Sequence, residues 1–211
     1  MMFAAIGGSI AAAEMLLEQG ADLQAQNKIN WSVVLYAALA DHADMVRFLV
    51  KRGAVVTEHE LILTAFTGNS NSFRVLLENY IGDPGAIRTR DGDKTLLHLA
   101  CEGMFHLKRA ANQHADCVKL LLDAGVPVNA AAKEAGRTCL QSYVADVRWH
   151  SQRFESSSHH MEVLEQLCLH GASVTMEDEA GATALSLAAE AGLWKVRNVL
   201  LAHGDLGSSV A

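Results

Sequence analysis

The segment Thr95-Leu96-Leu97-His98-Leu99-Ala100 returns as Thr183-Ala184-Leu185-Ser186-Leu187-Ala188 and, degraded, as Ser32-Val33-Val34-Leu35-Tyr36-Ala37. An apolar pair and a glycine recur downstream: Phe48-Leu49 before Gly53, Leu121-Leu122 before Gly125, Leu167-Cys168 before Gly171 and Leu200-Leu201 before Gly204. Ser32 to Gly53 and Thr183 to Gly204 both span 21 residues, and Gly20 lies 33 residues before Gly53. Such a ruler constrains the fold more than any composition does. Each unit is one supersecondary element that cannot hide its apolar faces alone, so the units must stack.

Within a unit the residue types give the local structure. Thr95 and Thr183 are placed to cap a first helix, their hydroxyls accepting an orphan amide. In Asp116-Cys117-Val118-Lys119-Leu120-Leu121-Leu122 the apolar spacing suits a second helix, and Gly125 suits the left-handed stop after it. With the 33-residue period, Thr95-Leu96-Leu97-His98 is similar to the Thr-Pro-Leu-His motif of ankyrin repeats, and the chain resembles an ankyrin-repeat protein over nearly its whole length.

That resemblance implies an all-α solenoid of helix-turn-helix units with short β-turn or hairpin fingers. It forms one domain over 1–207 with a tail at 208–211. The units read as 1–26 (partial), 27–57, 58–90, 91–130, 131–178 and 179–207. The resemblance also implies that His98 holds a turn, that the motif carries no catalytic residue, and that a partner protein binds along the concave face of fingers and first helices. Candidate contacts there are Asn30 and Trp31 on one finger, Arg88 and Arg90 on the next, and Lys133 and Glu134 on another.

Half the residues are apolar and 19% are charged, a globular balance. A net charge of −7 disfavours general nucleic-acid binding, which requires cations that release phosphate counterions. No stretch reads as a membrane span, and Met1-Met2-Phe3-Ala4-Ala5-Ile6 lacks the basic flank of a signal peptide. Cys101, Cys117, Cys139 and Cys168 form no CxxC pair, so buried, reduced thiols in a cytoplasmic or nuclear protein are expected. No GxSxG, phosphate loop or HExxH occurs, and neither cofactor nor metal is expected.

The departures from the ruler carry the individuality. From Gly53 to Thr64 is 11 residues, against 17 from Gly20 to Ala37 and from Gly171 to Ala188, so one finger is shortened. Thr57 and Glu60 are spaced there as a capping box. Units four and five gain residues between their helices, at roughly 104–113 and 147–159. Equivalent insertions in consecutive repeats project beside one another from one edge. Phe105, Lys108 and Arg109 fall in the first insertion, and Arg148, Trp149 and Arg153 in the second; Trp194 aligns to the same edge. These are candidate partner contacts, Arg and Trp being enriched among residues that dominate binding energy. The competing expectation is that the extra residues lengthen helices and pack the aromatics together.

Two further readings stay open. His106, His114, His150, His159 and His160 lie in or beside the insertions, which allows a metal-binding alternative. Unit one opens with half a helix and an apolar surface, so the chain reads either as covered by another element or as a segment of a longer array. One version of the latter is the substrate-recognition segment of a longer multidomain enzyme or effector. A complete chain is expected to be monomeric, with self-association through the apolar N-terminal face as the alternative.

Overall fold

The computed structural model describes residues 1–89, 93–106, 111–133, 135–149 and 158–204; of Ala111, Asn112, Arg148, Trp149 and Ser158 it describes the backbone alone. Twelve α-helices lie among them: α1 (Met2–Ile6), α2 (Ile10–Glu18), α3 (Val33–Leu39), α4 (Ala43–Lys51), α5 (Glu58–Thr67), α6 (Ser70–Asn79), α7 (Leu96–His106), α8 (Ala111–Asp123), α9 (Cys139–Trp149), α10 (Ser158–Leu169), α11 (Ala184–Glu190) and α12 (Trp194–Gly204). They form six successive pairs. The odd-numbered helices pack one on the next from α1 to α11, and α4, α6, α8, α10 and α12 do the same in a second layer. Isolated antiparallel bridges Gln26–Ser32, Arg88–Thr95 and Ala131–Thr138 close the fingers, and no sheet forms among the described residues.

The caps expected at Thr95 and Thr183 are in place, and Ser32 supplies another. Ser32 Oγ accepts from Leu35 N–H at 3.0 Å, Thr95 Oγ1 from His98 N–H at 3.3 Å and Thr183 Oγ1 from Ser186 N–H at 3.1 Å. Between the layers lies one continuous apolar core in which Leu49, Leu61, Leu76, Leu97 and Leu121 are fully buried. Each such side chain contributes about 1.5–3 kcal/mol relative to an exposed one. All four cysteines are free and buried. Burial raises the Cys117 thiol and pushes Cys168 up to about 11, as expected of thiols that pack as small hydrophobes.

Apolar stacking alone does not fix one unit against the next; a set of polar contacts does. Where a first helix ends, its last carbonyls lack an intrahelical donor. His42 Nε2 donates to the Ile6 carbonyl at 2.9 Å, Asn69 Nδ2 to that of Ala38 at 2.8 Å, and His114 Nε2 to that of Phe66 at 3.2 Å. Each donor stands just before or near the start of a second helix, and each acceptor belongs to the preceding unit. The fit is close: a Cβ on Gly103 would stand 2.1 Å from the Phe66 oxygen, and one on Gly8, already at φ +64°, 2.9 Å from His42 Nδ1. The Asn69 side chain makes no capping hydrogen bond to its own helix. Asp41, at φ 58°, supplies the cap from the neighbouring unit, accepting from Ser72 N–H and Asn71 Nδ2 at 2.9 Å each.

The insertions are in part absorbed into longer helices. α7 and α9 have eleven residues where α3 and α11 have seven, and α8 and α10 have thirteen and twelve where α4 has nine. Lys108, Arg109 and Arg153 lie outside the described residues.

Asn69 is fully buried, and truncating it removes one of two donors to the Ala38 carbonyl, the other being Asp41 N–H at 3.0 Å. The variant Asn69→Ala is expected to lose about 0.5–1.5 kcal/mol of stability in urea denaturation, the net contribution of one hydrogen bond. Exposed Glu78→Ala should stay within about 0.5 kcal/mol of the parent.

Candidate protein-interaction surface

The fingers are ordered from within. Asn27 Oδ1 accepts from the backbone amides of Ile29 and Trp31 at 2.9 Å each, and its Nδ2 donates to the Tyr36 hydroxyl at 2.8 Å. This turn holds exposed Asn30 at φ 60°, a left-handed position that asparagine tolerates better than other side chains. Trp31 is half-buried, edge-on to Tyr36 with ring centroids 5.6 Å apart. Arg88 donates Nη1 to the carbonyls of Gly85 and Ile87, so its guanidinium is tied to its own turn.

Trp31, Lys94 and Arg137 occupy one position of the frame, immediately before the capping Ser32, Thr95 and Thr138. Lys94 Nζ pairs with Glu102 at 2.8 Å across α7. Burial works against its charge, yet the hydrogen bond to Glu102, aided by Asp146 and Asp93, holds Lys94 above the ordinary lysine value. Arg137 Nε donates to Asp178 of the next finger at 2.9 Å. That bond, with the amides of Ala182 and Ala180, keeps the Asp178 carboxyl below the usual range. Lys94, Glu102, Arg137, Ser142 and Asp146 line a cavity of about 310 Å³ between units four and five. A second, larger hollow of about 840 Å³ joins the Asn30 finger to Arg88 across the start of α5.

His98 forms the floor beneath the first cavity. Its Nε2 faces the Arg137 carbonyl at 3.1 Å, which can only accept, so Nε2 carries the proton and Nδ1 accepts from the Thr95 hydroxyl at 2.8 Å. Burial lowers its pKa and keeps the ring neutral. Gln141 fills the same place in unit five, accepting from Thr138 N–H and donating Nε2 to the carbonyls of Met176 and Ala182. His98 thus fastens the next finger, the structural role expected of it.

The candidate residues separate into groups. Asn30 and Arg88 are brought to one hollow, and exposed Lys133 is joined to the neighbouring finger by its amide, which donates to the Asp93 carbonyl at 3.1 Å. Arg90 and Glu134 lie outside the described residues, and Arg148 and Trp149 close α9 with side chains outside that description. Phe105 must be withdrawn from the partner-facing set. It is 2% exposed, stacked on His160 with centroids 5.0 Å apart and tilted against Tyr143 at 5.3 Å, because the lengthened α7 and α9 meet α10 there. Trp194 is 58% exposed at the start of α12, with Lys195 Nζ 5.4 Å from its ring centroid. Sequence reasoning passed over Lys94, Glu102, Arg137 and Asp178, although the frame position before the cap marked Lys94 and Arg137. Among the described residues no three His, Cys, Asp or Glu side chains gather as a metal site would require. Nor is any helix there long and apolar enough to cross a membrane.

A family model for ankyrin repeats in three copies matches residues 1–84, and a single ankyrin-repeat model matches 92–133, together more than half of the chain. The chain belongs to the ankyrin-repeat family. Solved ankyrin structures share the fold. One is an ankyrin repeat domain from Acinetobacter baumannii AYE, with TM-score 0.75 and 21% identity over 96% of both chains. The ankyrin repeat domain of Bcl-3, described as a unique member of the IkappaB protein family, has TM-score 0.72 and 22% identity over 96% of this chain and 85% of its own. EF0377, an ankyrin repeat protein, has TM-score 0.72 and 19% identity over 94% of each chain. Ankyrin repeats are in general protein-interaction modules and typically carry no catalysis.

His98 gives this ankyrin array a pH signature. A lowered histidine pKa contributes stability that is complete above the unfolded value near 6.5 and is lost as pH falls through the folded value. The variant His98→Gln, copying Gln141, keeps the hydrogen bonds without the titration. In thermal melts it should match the parent at pH 7.5 and lose less stability than the parent between pH 6.5 and 5.

Proposed function

We propose that this ankyrin array is a non-catalytic module that binds a partner protein across its fingers and first helices. The basic and aromatic edge of units four to six, with Lys108, Arg109, Arg148, Trp149, Arg153 and Trp194, supplies a second contact region. The observation carrying this reading is the arrangement between units four and five. Lys94 and Arg137, at one frame position, are fixed by Glu102 and Asp178 beside a cavity that opens among the fingers. Side chains held by each other lose little further entropy when a partner arrives, which favours recognition. Half-exposed Trp194, with Lys195 Nζ over its ring, offers an aromatic anchor at the other region.

Affinity capture followed by mass spectrometry tests both regions. The variant Ala145→Arg fills the cavity beside Asp146 and should reduce recovery of a specifically captured protein by roughly tenfold, the loss typical of a blocked central contact. Replacing Lys108, Arg109, Arg148 and Arg153 with serine should weaken capture mainly at low salt, since edge charges act electrostatically. Circular dichroism should leave both variants as helical as the parent. Equal capture by parent and both variants would refute the assignment of these surfaces.

A further inference from the structure

We infer that the hollow left by the shortened finger of unit three receives a short extended segment of a partner protein carrying a basic side chain next to an aliphatic one. This rests on the interaction reading above and gives it a specific site. Elsewhere in the array neighbouring fingers are joined through their backbones: Lys133 N–H donates to the Asp93 carbonyl and Glu179 N–H to that of Ala135, each at 3.1 Å. Among the described residues unit three has no bridged finger, and its connection is six residues short. In its place Thr57 and Glu60 form a capping box that starts α5 early, with Glu60 also accepting from the Ser32 hydroxyl at 2.6 Å. The finger of unit two therefore faces that of unit four across an open groove of about 840 Å³.

The groove specifies its occupant by three features. Among the described residues no donor reaches the carbonyls of Ile29 or Asn30, the edge that a third finger would flank. An extended chain supplies backbone N–H groups to such an edge, the same pairing by which strands add to a sheet. Ile29 is 61% exposed on this rim, and half-buried Ile62 and Leu63 form the floor, so an aliphatic side chain pointing inward is sheltered on both sides. Glu58 is exposed on the rim with Oε1 3.4 Å from the Tyr80 hydroxyl, and the cation opposite, Arg88, directs Nη1 to the carbonyls of its own turn. A lysine or arginine on the visiting segment meets Glu58, and alternation along an extended chain puts these two side chains on opposite faces at adjacent positions.

The probe is an acetylated, amidated hexapeptide of alternating lysine and valine, titrated into the full chain and followed by amide chemical shifts. Saturable shifts are expected at Ile29, Asn30, Glu58, His59 and Thr89, and the corresponding glutamate and valine peptide should cause none. Glu58→Lys, an exposed change that leaves the core untouched, should weaken binding roughly tenfold. Restoring the finger by inserting a copy of residues 27–32 before Thr57 should abolish those shifts at an unchanged melting temperature. No shifts at millimolar peptide, or equal binding by parent and Glu58→Lys, overturns the inference. Shifts confined to Arg137, Ser142 and Asp146 also overturn it, while leaving the broader interaction reading standing.

Discussion

The burial of both faces of every helix pair against its neighbours is the constraint on which this molecule depends. Within one unit, Val34, Leu49 or Leu121 has only half the apolar surroundings it needs; the second half arrives with the next unit. Hydrophobic contact is non-directional and would tolerate sliding. The hydrogen bonds from His42, Asn69 and His114 to the preceding carbonyls remove that freedom, because each directional bond closes at only one offset between units. A second set acts at the far ends of the helices, where Gln24 donates to the Gly53 carbonyl at 2.7 Å and Asn129 to that of Gly171 at 2.9 Å.

The same constraint explains where the array tolerates change. The shortened finger and the lengthened α7, α8, α9 and α10 leave neighbouring units packed one on the next. Lengthening is compatible with the core when the added residues can be packed. Phe105, Tyr143 and His160 show how, with the Tyr143 hydroxyl donating to the His160 carbonyl at 2.9 Å. Close by, Cys101 and Cys139 bring their Sγ atoms to 3.2 Å between adjacent units. The surface is thus diversified by loss on one finger and by growth between helices, while the stack stays regular.

The repeat frame, the caps at Thr95 and Thr183, the stops at Gly53, Gly125 and Gly171, and the shortened third finger were all legible in the sequence. Each depends on residues within a few positions of one another, and a repeated pattern is read several times over. The turn-holding role of His98 was legible for the same reason. The role of Phe105 was not: between two insertions an aromatic can face solvent or core with equal local propriety, and only the approach of α9 and α10 decides which. The fastening of Lys94 by Glu102 and of Arg137 by Asp178 likewise depends on distances between turns and units. The sequence by itself determined the unit, its period and its order, because those follow from local periodicity and backbone chemistry. Which side chains became surface, which became core and where the grooves opened was decided by the tertiary structure alone, because burial is a property of neighbours brought together from distant parts of the chain.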